Sequence, residues 1–107
     1  MCYQFDVYRN PSAKTCELHP YLMVIQHDYY DDLSTRLILP LSYRNNLSGH
    51  INPAAALINI DFLTLFMNTP GITSVEKKKL TNNYYVTNMQ SARTRVVAVI
   101  DALITNT

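Results

Sequence analysis

Apolar and polar positions alternate in short runs along most of this chain, and a helical period emerges only at its end. Tyr3 to Tyr8 alternates, with Tyr3, Phe5 and Val7 on one side and Gln4, Asp6 and Tyr8 on the other, the signature of a half-buried strand. Tyr21 to Gln26 (YLMVIQ) and Thr35 to Leu41 (TRLILPL) are apolar runs of strand length. Pro40 cannot donate to a ladder, so it predicts a strand end, an edge or a bulge. Three alanines pull Ala54 to Ile60 towards helix, but Pro53 and Asp61 confine it to a strand's length. Phe62 to Met67 reads as its hairpin partner across Asn59–Asp61, and Ile72 to Val75 as a further strand. From Gln90 to Thr107 the pattern changes. Ala92, Val96, Val99, Ile100 and Leu103 fall on one helical face, with Thr87 or Asn88 as the candidate N-cap.

The connections are polar. Asn10-Pro11-Ser12 and Asn68-Thr69-Pro70-Gly71 are turn signals, and His27 to Ser34 reads as a loop at a sheet edge. Ser42 to Asn52 reads as a polar connection with Leu47 tucked inward. Glu76-Lys77-Lys78-Lys79 is a charge run, either a solvated strand end or a patch for an acidic partner. Short strands, tight turns and one terminal helix predict a mainly antiparallel β fold, a curled sheet or small barrel with the helix packed on it. At 107 residues, one domain over 1–107 is expected.

Composition narrows the function classes. Apolar residues make up 48% of the chain, enough for a packed core rather than disorder. No run of eighteen apolar residues suggests a membrane span, and MCYQFDVYR lacks the pattern of a signal peptide, so a cytosolic protein is expected. A net charge of +1 argues against coating a nucleic-acid duplex. Cys2 and Cys16 read as buried or half-buried reduced thiols. No cysteine or histidine spacing suggests a metal site.

No nucleophile elbow, phosphate-binding glycine loop or zinc spacing appears. Asp28, Asp31 and Asp32 lie close together but do not match a calcium loop. His27, Asp28 and Arg36 are the residues from which an acid–base cluster for RNA cleavage would be assembled, although no spacing demands it. Eight tyrosines with no tryptophan is unusual, and Tyr29-Tyr30 sits on a polar loop. Tyrosine pairs an apolar ring with a polar tip, so an exposed pair is a candidate contact surface; the alternative is that one packs inward.

The order of these motifs resembles the CcdB family of toxins. QFDVY (Gln4 to Tyr8) is similar to the family's opening strand. In VIQHDYYDDLSTRLILPL, the positions Gln26, Asp28, Tyr29, Tyr30, Asp31, Arg36, Ile38, Leu39, Pro40 and Leu41 match its pattern. Pro53 with its following strand and ITSV look like the later strands, and AVIDALIT (Ala98 to Thr105) looks like the closing helix. The resemblance is dense over 3–41, moderate over 90–105 and weak over 42–89.

That resemblance implies a homodimeric, SH3-like antiparallel barrel with a C-terminal helix, of the type shared with the MazF and Kid ribonuclease toxins. It implies the toxin of a type II toxin–antitoxin module, often plasmid-borne. Such a toxin binds the A subunit of DNA gyrase and traps the enzyme on cleaved DNA, and a CcdA-like antitoxin neutralises it. It implies no catalytic residue, cofactor, direct nucleic-acid contact or membrane partner. The target-binding residues it implies are Tyr29 and Tyr30 on the loop and Asp101, Ile104, Thr105, Asn106 and Thr107 at the helix end. Thr105, Asn106 and Thr107 stand where the family has a variable residue, Gly and Ile. The alternatives are a ribonuclease of MazF or Kid type on Arg36, Asp28 and His27, or a non-toxic relative that binds antitoxin. Apolar stretches such as Ala54 to Met67 fit the expectation of symmetric pairing.

Overall fold

The computed structural model describes residues 2–30, 32–43 and 57–105, apart from the side chains of Leu103 and Thr105. Among the described residues, seven strands form one antiparallel half-barrel sheet carrying a C-terminal helix: β1 (Asp6–Arg9), β2 (Tyr21–Val24), β3 (Thr35–Tyr43), β4 (Leu57–Ile60), β5 (Leu63–Met67), β6 (Thr73–Glu76), β7 (Tyr85–Asn88) and α1 (Arg93–Thr105). The sheet order is β4-β5-β3-β2-β1-β7, with β6 also paired to β3.

Strand β3 organises the sheet. One edge pairs with β2, from Ile38 opposite Val24 to Leu41 opposite Tyr21. The other edge serves two strands in succession: β6 along Thr35 to Ile38, then β5 along Leu41 to Tyr43. Pro40 falls at the handover, in mid-strand rather than at an end or an outer edge. Its carbonyl accepts from the Asn68 N–H in the connection between β5 and β6. Since the N–H and C=O of one strand residue point the same way, the donor that proline lacks would also have faced this junction, where the ladder is interrupted. The strand continues through Ser42 and Tyr43, two residues beyond the apolar run, and Ser42 is buried.

Both faces of the sheet's centre are covered. Val7, Met23, Leu39 and Leu41 point to the face that α1 covers with Val96 and Val99. Tyr8, Leu22, Val24 and Ile38 point to the opposite face and pack with Cys2 and Leu80. The half-buried first strand expected from alternation is therefore corrected. It starts at Asp6, and Asp6, Val7 and Tyr8 are all buried. Before it, Tyr3 to Asp6 forms a turn in which Phe5 takes a φ of 71° and turns its ring into the core.

The expected β4–β5 hairpin forms, but its turn lies at Asp61 and Phe62, both with positive φ as in a type I′ turn, rather than across Asn59–Asp61, so Phe62 is a turn residue and the strand starts at Leu63. Ala54 to Ala56, most of the polar connection and its Leu47 lie outside the described residues. Strand β7 was not expected from sequence; it pairs with β1 from Asp6 opposite Asn88 to Tyr8 opposite Tyr85. The terminal helix begins with a 3-10 turn at Gln90–Ala92, and its α-helical part starts at Arg93. Of the two candidate caps, Thr87 lies within β7, while the Asn88 Oδ1 accepts the Gln90 N–H at 2.9 Å. No helix among the described residues is long and apolar enough to cross a membrane.

Candidate functional site

The loop carrying Tyr29 and Tyr30 is pinned to the sheet from both sides. Asp28 opens a short 3-10 turn, and its Oδ1 accepts the Gln4 N–H at 2.7 Å. The Gln4 side chain donates to the Ile25 carbonyl at 3.1 Å. The amide of Gln26 donates to the carbonyls of Tyr30 and Thr35, while its Oε1 accepts the Leu37 N–H. The His27 Nδ1 accepts the Tyr29 N–H at 2.9 Å. With its backbone held by these bonds, the loop can present side chains without losing its shape.

Both tyrosines face outward. Tyr29 is 80% exposed and Tyr30 50%, so the reading in which one packs inward is corrected. Their rings meet edge to face, 5.1 Å between centroids. Such a pair restricts the motion of two aromatic side chains in solvent and lowers the cost of ordering them against a partner.

The outer end of α1 forms the second half of the surface. Val96 and Val99 turn inward, Val97 faces out, and Ile104 is 75% exposed. Between helix and sheet lies an open groove of about 250 Å³, with Phe5, Ile25 and Ile100 as its apolar walls and Gln4, Asp101 and Ile104 around it. Gln4 joins the halves: it lines the groove and bonds to Asp28, one residue before Tyr29. Asp101 and Ile104 thus share one groove, and Tyr29 and Tyr30 follow the Asp28 that is bonded to Gln4 at its wall. The Thr105 side chain, Asn106 and Thr107 lie outside the described residues, as does Asp31.

Sequence reasoning missed Gln4, Phe5 and Ile25. The Phe5 ring reaches this groove through a positive-φ residue, and Gln4 through a bond spanning 24 residues. The alternation of Tyr3 to Tyr8 signals neither.

The three residues considered for acid–base chemistry have separate engagements. Asp28 holds the Gln4 amide and His27 the Tyr29 amide. Arg36 is 1% exposed, and its guanidinium donates to the carbonyls of Cys2, Leu33 and Thr35. It acts as a buried clamp on backbone oxygens. Cys2 is buried, Cys16 is half-buried, and both are free thiols. No group of three or more His, Cys, Asp or Glu that could hold a metal comes together among the described residues.

The family model described as CcdB protein matches residues 4–106 of the chain. No curated protein matched the chain.

Proposed function

The chain belongs to the CcdB family, and we propose that it is the toxin of a type II toxin–antitoxin module, binding the A subunit of DNA gyrase and trapping that enzyme on cleaved DNA. Family membership by itself suggests a toxin of a toxin–antitoxin module. The observation that supports the finer reading is the apolar groove beside α1, lined by Ile104 and by Gln4, whose bond to Asp28 ties it to the turn carrying the exposed Tyr29–Tyr30 pair. Exposed aromatic and aliphatic side chains on a rigid frame suit an interface whose affinity rests on a few anchors.

In this reading Tyr29, Tyr30, Asp101, Ile104, Thr105, Asn106 and Thr107 contact the target, and the action is non-catalytic. The buried, carbonyl-bound guanidinium of Arg36 favours this over a ribonuclease built on Arg36, Asp28 and His27. The working form is a homodimer in the cytoplasm, neutralised by a CcdA-like antitoxin. Purified protein added to a gyrase supercoiling and cleavage reaction is expected to inhibit supercoiling and to leave a trapped, cleaved complex. Neither effect at large molar excess over gyrase would remove the proposal. Light scattering at micromolar concentration is expected to give twice the chain mass.

A further inference from the structure

Asp6 is buried at the start of β1, 4% exposed, so it cannot itself meet a partner. Its Oδ2 accepts the Tyr3 N–H and its Oδ1 accepts an amide hydrogen of Asn88, each at 2.9 Å. Both of these donors are neutral. Taking a carboxylate out of water onto neutral donors is costly, and a packed apolar side chain often serves a core at least as well. Stability is therefore a weak reason for a carboxylate here, and what it holds in place is the better guide.

It holds the orientation of Asn88. An asparagine amide turned over exchanges donor for acceptor, and Asn88 is an exposed residue of the outer strand β7, where water competes for both ends. The carboxylate of Asp6 offers only acceptors, so it draws Nδ2 towards itself and leaves Oδ1 facing the helix. In that orientation Nδ2 also donates to the Gln4 carbonyl at 3.2 Å, and Oδ1 accepts the Gln90 N–H where the helical segment begins. On its other side the Gln4 peptide is held by Asp28, which accepts the Gln4 N–H and immediately precedes the tyrosine pair. The backbone of Phe5, the next residue, donates to the Val24 carbonyl and accepts the Met89 N–H, which fastens it to β2 and to the approach of the helix. Phe5 needs this hold, because a residue with a side chain resists a φ of 71°.

We propose that Asp6 and Asn88 are positioning residues of the target-binding surface, fixing the tyrosine turn relative to the groove beside α1 through the Gln4 peptide. The proposal rests on the reading of that surface as the one that meets gyrase. The pair acts through Gln4 and Asp28, and one asparagine side chain serves the helix entry and the tyrosine turn together.

The test exchanges the two side chains in the full chain, Asp6→Asn with Asn88→Asp. An amide then again meets a carboxylate between positions 6 and 88. The Tyr3 N–H keeps an oxygen acceptor, and the carboxylate at position 88 can still accept the Gln90 N–H. Only the donor to the Gln4 carbonyl is gone. The melting temperature and the slow exchange of the Gln90 amide should stay close to those of the parent. The Gln4 amide should exchange about tenfold faster, and the cross-peaks between the Tyr29 and Tyr30 rings should weaken. Gyrase trapping should need about ten times more protein. Asp28→Ala, which alters no core residue, should weaken the same ring cross-peaks, whereas Asp28→Asn keeps an acceptor for the Gln4 N–H and should restore them. Ring cross-peaks as strong as the parent's in the exchanged protein or in Asp28→Ala would overturn the proposal. Full trapping by the exchanged protein would overturn it as well. A parent that traps no gyrase would instead remove the proposed function, while amide exchange and ring cross-peaks would still decide whether the tyrosine turn is positioned through Gln4.

Discussion

Phe62 stands at the tip of the β4–β5 hairpin, fully solvent-exposed and with a φ of 68°. An aromatic residue resists that backbone region, and its side chain gains nothing from burial here. Phe62→Gly would place Asp-Gly in a type I′ turn, the pairing that geometry favours. It is expected to raise stability by about 0.5–1 kcal/mol, or roughly 2–6 °C in melting temperature. A drop on thermal unfolding would mean that the ring is engaged in the folded protein. Arg36 is the opposite case, a charge buried to hold carbonyls. Arg36→Ala leaves the carbonyls of Cys2, Leu33 and Thr35 short of a donor and opens a cavity, so a loss of about 3 kcal/mol or more is expected in urea unfolding. On the non-catalytic reading no RNA cleavage accompanies either the parent protein or this variant.

On the proposed gyrase-binding reading, the terminal helix separates stability from recognition along its own faces. Val96 and Val99 are buried against the sheet, whereas Val97 and Ile104 face out. Val96→Ala and Val99→Ala should each cost about 2 kcal/mol in urea unfolding, from lost burial plus the cavity left behind. Val97→Ala should stay within about 0.5 kcal/mol of the parent. Ile104→Ser should leave the melting temperature unchanged but weaken gyrase trapping about tenfold; an unaffected dose response would remove Ile104 from the target surface. This helix was legible in the sequence because one face is buried and the other is not, which writes a 3.6-residue period into the chain. Strand β7 was not legible, because Tyr85 to Asn88 is held mainly by backbone pairing with β1 and buries none of its residues fully. For β1 the pattern misled in the other direction: Tyr8 and Asp6 look like a solvated face but lie under Cys2 and in the bonds of Asn88. The same reason governs the site. Its exposed tyrosines and helix end could be marked on the sequence, but its floor depends on how Gln4 and Phe5 are folded back.

At the scale of the whole molecule, the connection between β1 and β2 ties a half-buried histidine to the sheet. His19 lies in that connection, its carbonyl bonded to the Asn10 side chain and its Nδ1 2.6 Å from the Oγ of buried Ser42 in β3. Burial disfavours the imidazolium and lowers its pKa below the ordinary 6.5. The sign of the effect follows from linkage. Above 6.5 the imidazole is mostly neutral in folded and unfolded chains alike, so it contributes little slope. As the pH falls below 6.5 the unfolded chain takes up the proton first and is favoured by it. Stability therefore declines until the lowered folded pKa has been passed. Thermal unfolding is expected to be nearly level from pH 8 to 7 and to weaken from about pH 6.5 towards 5, before most carboxylates titrate. His19→Gln cannot take the proton, so its profile should be flatter over that window, whatever its absolute stability. An equal slope in both proteins would show that the decline comes from other groups and that His19 is as well hydrated in the folded protein as in the unfolded chain.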